Sequence, residues 1–77
     1  MASVKKSAKV VALGKAMRSA RSERGYSQES FAATAGLDRS YYGAVERGEF
    51  NATVETVAKI AGGLHLSVSE LFAKARL

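Results

Sequence analysis

Seventy-seven residues without cysteine, proline or tryptophan make one small domain and exclude disulfides and thiolate metal centres. Twelve lysines and arginines against seven aspartates and glutamates give a net charge of +5, a balance that favours a polyanionic partner. Residues 1–24 hold seven basic side chains and one acidic one, so the basic excess lies at the N-terminal end. A core this small needs efficient helix packing or a partner chain that shares it.

Residues 1–7 read as a basic arm with little to bury, and residues 8–77 as the folded domain. Lys5, Lys6 and Lys9 are not followed by a long apolar run, so no secretory signal is expected. No stretch approaches the roughly 18 apolar residues of a membrane span. The absence of cysteine suits a reducing cytosol, and a cytoplasmic location is expected.

The first helix is expected over about 8–24. Val10, Leu13, Gly14, Met17, Ala20, Arg21 and Arg24 recur at three- and four-residue spacing and form one stripe. Gly25 ends the helix, because glycine takes the left-handed conformation most easily. Arg21 stands on the apolar stripe and therefore needs a carboxylate partner. A second helix over 28–35 is capped by Ser27 and carries Glu29 in its first turn. Phe31, Ala32 and Ala35 face inward, and Gly36 ends it.

A third helix over 39–47 starts at the cap Asp38. Tyr42 and Val45 pack inward behind Leu37, leaving Arg39, Ser40, Gly43 and Ala44 on the outward face. Glycine costs about 1 kcal/mol relative to alanine in a helix, a cost tolerated by a face that must approach a base-pair edge. Glu46 is the expected partner of Arg21. After a loop containing Phe50, Thr53 caps a fourth helix with the stripe Val54, Val57, Ala58, Ala61 and Leu64, ended near Gly62-Gly63. Ser67-Val68-Ser69-Glu70 is a capping box opening a fifth helix. The pattern is all-α: a compact five-helix unit without repeats or linkers.

Gly25-Tyr26-Ser27-Gln28-Glu29, Phe31-Ala32, Gly36, Tyr41 and Val45-Glu46-Arg47-Gly48 resemble the Cro/C1-type (XRE-like) helix-turn-helix repressors. Ile60-Ala61, Leu64, Val68 and Glu70-Leu71-Phe72 continue the likeness, over roughly residues 10–74. Gly36 to Tyr41 and the run from Gly43 to Gly48 look most like the controller proteins of restriction–modification systems. The resemblance implies a lambda-repressor-like five-helix fold, a symmetric dimer through the C-terminal helices and recognition of a palindromic operator. Ala52-Thr53 and Gly62-Gly63 depart from the family pattern around the fourth helix.

In such domains the N-terminal half of the second helix of the pair reads base edges in the major groove. Arg39 is then the candidate for a bidentate guanine contact, with Ser40, Gly43 and Ala44 as further base-reading positions. Ser27, Gln28, Tyr41, Arg47 and Asn51 are candidates for phosphate. Arg21 and Glu46 form a structural ion pair. Phe50, Leu64, Leu66, Val68, Leu71 and Phe72 are the expected dimer interface.

His65 has neither a second histidine nor a cysteine to share a metal with, so a surface position is expected and no metal. No nucleophile–base set or phosphate-cradling loop is present, which argues against an enzyme. No cofactor and no small-molecule effector is evident. The expected partners are double-stranded DNA and a second copy of the chain. The alternative is an antitoxin-like or adapter protein that uses the same fold to bind another protein.

Overall fold

The computed structural model describes residues 7–77. The expected basic arm therefore lies, apart from Ser7, outside the described residues. Five helices follow one another: α1 (Ala8–Glu23), α2 (Gln28–Ala35), α3 (Arg39–Glu46), α4 (Val54–Gly63) and α5 (Val68–Lys74). Among the described residues there is no strand.

The helix starts follow from local chemistry. Ser27, Asp38, Thr53 and Ser67 each accept a hydrogen bond from the backbone N–H three residues on, which satisfies one of the amide groups left open at a helix N-terminus. Ser67 and Glu70 form the expected capping box, and Ser27 forms a second one with Ser30. At Ser7 the backbone is extended but the side chain makes no cap bond.

The helix ends share one device. After each helix a residue at positive φ lets its own N–H and that of the following residue bond back to carbonyls of the last turn, the Schellman arrangement. The residue is glycine after α1, α2 and α3 (Gly25, Gly36, Gly48), but His65 after α4 and Arg76 after α5. Arg24 and Arg47, expected as the last helical residues, are the C-caps of α1 and α3.

Helix α1 packs on α3 and α5, α2 on α3 and α4, and α4 on α5. The core gathers Met17, Ala20, Phe31, Ala32, Tyr42, Val45, Ile60, Leu64 and Leu71 among its buried residues. Phe31 lies at its centre, with the rings of Tyr26 and Tyr42 at 5.4 and 5.2 Å. Gly63 is packed as well as terminal: a Cβ there would stand 3.0 Å from the Phe31 ring. Arg24 and Ala58, placed by spacing on the apolar stripes, are exposed.

Candidate nucleic-acid interface

The α2–turn–α3 unit is fixed from its ends inward. Gly36 takes φ 72°, and the Leu37 N–H returns to the Ala32 carbonyl at 2.8 Å. Asp38 then caps α3 by accepting the Tyr41 N–H at 3.0 Å. This leaves Arg39 and Ser40 exposed at the N-terminal end of α3. Tyr42 and Val45 on the other face are buried, and so is Glu46, which lies two turns on from Arg39 along the same side of α3.

Gly43 and Ala44 do not join that exposed face in the free chain; both are buried, Ala44 at 5% exposure. At about 100° per residue, Arg39, Gly43 and Ser40 share one sector and Ala44 falls some 40° beyond it. Gly43 does point outward, but the side chains of Gln28 and Arg47 lie over it. A Cβ at Gly43 would meet Arg47 Nη1 at 3.2 Å and Gln28 Oε1 at 3.4 Å. The open part of the surface is therefore Arg39, Ser40 and Arg47.

Behind this surface stands a polar network centred on the buried Glu46 carboxylate. Arg21 Nε donates to Glu46 Oε2 at 2.6 Å and Nη2 to Oε1 at 3.2 Å. Tyr42 donates its hydroxyl to Oε2, and Gln28 Nε2 donates to Oε1 at 2.9 Å. Arg21 Nη1 also donates to the Tyr26 carbonyl at 2.7 Å. Among the described residues no buried side-chain nitrogen or oxygen lacks a partner, the condition under which a buried ion pair is tolerated.

Burial alone would raise the Glu46 carboxyl's pKa, but hydrogen bonds from Arg21, Tyr42 and Gln28 outweigh it and hold it below the ordinary value. The same bond holds the Arg21 guanidinium more firmly protonated. Burial first, and then the bond to Glu46, push the Tyr42 phenol well up, so it stays a donor. The network joins α1, α2 and α3 and includes Gln28, a link that spacing alone does not reveal.

The remaining phosphate candidates are distributed around the unit. The Ser27 hydroxyl is occupied as a cap, accepting the Ser30 N–H at 3.0 Å. Tyr41 is half-buried, its ring 5.9 Å from that of Phe50 and its hydroxyl 3.5 Å from Thr56 Oγ1. Arg47 is exposed and pairs with Glu49 at 2.8 and 3.2 Å. Asn51 is exposed at the edge of an apolar groove.

That groove, about 480 Å³, is the second notable surface. Its walls include Val10 and Leu13 of α1, Phe72 of α5, and four large apolar residues with substantial exposure: Phe50 (52%), Val54 (82%), Val68 (37%) and Leu77 (47%). Three residues expected in a dimer interface, Leu64, Leu66 and Leu71, do not line this groove. Leu64 and Leu71 are fully buried in the monomer core, because α4 and α5 turn that edge of their stripes toward α1 and α2. Leu66 is half-buried against the core. Val54 and Leu77 line the groove beside Phe50, Val68 and Phe72. Val54 lies on the apolar stripe of α4, but at its first turn none of the other described elements covers it.

His65 is exposed, and among the described residues no group of three histidine, cysteine, aspartate or glutamate side chains is placed to hold a metal. No helix among them is long and apolar enough to cross a membrane.

A helix pair with this turn, this cap and this exposed arginine defines a helix-turn-helix protein. The profile of the Helix-turn-helix family matches residues 17–71, and the chain belongs to that family, in its Cro/C1-type branch. Its relatives include "Control protein C.MunI" of Mycoplasma sp, 50% identical over 46 residues, 60% of this chain. The chain spans 62% of that protein's length. "Control protein C.SmaI" of Serratia marcescens is 40% identical over 62 residues, covering 80% of this chain and 74% of its own. Among solved structures, the restriction–modification controller protein C.AhdI from Aeromonas hydrophila superposes with a TM-score of 0.82 at 42% identity. The match covers 84% of this chain and 98% of that one.

Proposed function

We propose that the chain is a sequence-specific DNA-binding transcriptional regulator that occupies a palindromic operator as a homodimer, as the controller of a restriction–modification system. One observation carries the DNA reading: Arg39 and Ser40 are exposed together at the N-terminus of a helix whose opposite face is locked into the core. Set in the major groove, Arg39 gives two hydrogen bonds to guanine O6 and N7, and Ser40 reaches a neighbouring edge. Gly43 and Ala44 contribute by being small. Gln28 stands at the N-terminus of α2, where backbone N–H groups and the positive helix end favour a phosphate. Arg47 and Asn51 add contacts from the exposed rim, and Tyr41 does so through a hydroxyl it shares with Thr56.

The apolar groove supports the homodimer. Four exposed large apolar residues on one small chain meet there, and a second copy seated on it by two-fold symmetry covers the same patch on both chains. The two α3 helices then face half-sites about 34 Å apart. The relatives named as control proteins support the regulatory role, and a cytoplasmic location accords with that role.

The test is nuclease footprinting of the DNA upstream of the chain's own gene. Protection of two half-sites one helical turn apart is expected. Salt-sensitive binding without any protected sequence would overturn the reading.

A further inference from the structure

We propose that Gly43 and Glu46 act together as positioning residues for Gln28 at the DNA surface: Glu46 fixes the amide from below, and Gly43 vacates the space it occupies. The proposal rests on the DNA-binding reading above and deepens it.

A carboxylate only accepts hydrogen bonds, so the Gln28 amide must turn its NH2 toward Glu46 and its oxygen away. The observed contacts agree, with Nε2 at 2.9 Å from Glu46 Oε1 and Gln28 Oε1 on the Gly43 side. Glu46 cannot follow a moving Gln28, because Arg21 and Tyr42 hold it from two other directions. One N–H of Gln28 Nε2 is thus spent on the core, and one remains for a phosphate oxygen.

Above the helix, Gln28 from α2 and Arg47 from the end of α3 converge on the same spot. Nε and Nη2 of Arg47 are turned to Glu49, while Nη1 stands over Gly43. A Cβ at position 43 enters this space: it presses on Arg47 Nη1 at 3.2 Å and closes the gap beside Gln28 Oε1 at 3.4 Å. Both groups are the far ends of flexible side chains, so they give way and the fold does not. Alanine is also the better helix former. Gly43→Ala thus separates binding from stability, which a purely structural glycine would not do.

The experiment measures Gly43→Ala, Gln28→Ala/Arg47→Ala and the triple variant by thermal unfolding and by fluorescence anisotropy. The probe is a duplex selected from random DNA by the wild-type protein. Gly43→Ala is expected to keep or raise Tm, by up to about 4 °C, and to bind about 5- to 10-fold more weakly, a change of about 1–1.4 kcal/mol. In the Gln28→Ala/Arg47→Ala background the same substitution is expected to change affinity by less than about 2-fold, the mark of coupled sites. Undiminished binding by Gly43→Ala, or a full loss that persists in the double-variant background, would overturn the proposal; the second result means that position 43 meets DNA directly.

If the wild-type protein selects no duplex, the DNA reading fails by itself, and the positioning is read by NMR of the free protein. Two well-separated Gln28 side-chain amide protons, which move toward each other in Gly43→Ala, support the positioning. Averaged amide signals in the wild type contradict it.

Discussion

Gly14 of α1 lies directly against the C-terminal turn of α3: a Cβ on it would stand 2.3 Å from the Glu46 carbonyl oxygen and 2.8 Å from that of Val45. No real Cβ contact is so short, and the obstacles are backbone. The close crossing seats α1 on the end of α3 where the Arg21–Glu46 pair forms. Gly14→Ala is therefore expected to destabilise the fold by about 2 kcal/mol or more, despite alanine's better helix propensity. A fall of roughly 10 °C in Tm checks this; an unchanged Tm contradicts the tight crossing.

Removing one partner of the buried pair leaves the other uncompensated. Arg21→Ala is expected to cost about 3–5 kcal/mol in urea unfolding. Folding lowers the Glu46 pKa below its ordinary 4.5, so the unfolded chain binds this proton more tightly than the folded one. The stabilisation is full above pH 4.5 and is lost as pH falls through the lower folded value. Glu70, whose carboxyl is lowered by the backbone N–H of Ser67 that it caps, contributes in the same direction. Urea midpoints are expected to stay level from pH 7 to 5 and drop toward pH 3. In Glu46→Gln the drop should be shallower; an equal drop assigns the effect elsewhere.

His65 ends α4 at φ 60°, a position that glycine fills after α1, α2 and α3. Left-handed backbone costs a residue with a Cβ about 1 kcal/mol. His65→Gly is expected to stabilise the protein by about that much, less the entropy glycine adds to the unfolded chain. Thermal unfolding reads the result, and DNA affinity is expected to stay the same. A lower Tm would mean that the exposed imidazole makes a stabilising contact.

The groove and the core respond differently to charge. Val54 and Val68 are exposed, so glutamate at either one is expected to leave helix content intact and shift sedimentation from dimer to monomer. Glutamate at Leu71, which is fully buried, is expected to unfold the chain. Dimers that persist in both groove variants place the interface elsewhere.

The helices were legible in the sequence because their punctuation is local: Ser27, Asp38, Thr53 and Ser67 cap by their own side chains, and Gly25, Gly36 and Gly48 bring the chain round. The Arg21–Glu46 contact was legible for a different reason, since an arginine on an apolar stripe requires a carboxylate. Other features depend on three-dimensional neighbours. Leu64 and Leu71 have the same apolar character as Val54 and Val68, and only the packing of α4 and α5 decides which pair is buried. Gly43 reads as outward from its spacing, but the side chains that lie over it come from Gln28, fifteen residues earlier, and from Arg47. Gly63 similarly looks like a weak helix end until the Phe31 ring is placed beside it.

The most direct test is to present random duplex DNA to the purified protein and to Arg39→Ala at near-physiological salt, then sequence what each retains. The account predicts a palindrome with half-site centres about 10 bp apart for the wild type. It predicts loss of the preference at one guanine per half-site in the variant, worth about 1–3 kcal/mol of discrimination. A wild-type pool with no enriched motif, or an Arg39→Ala pool with an identical one, would contradict it.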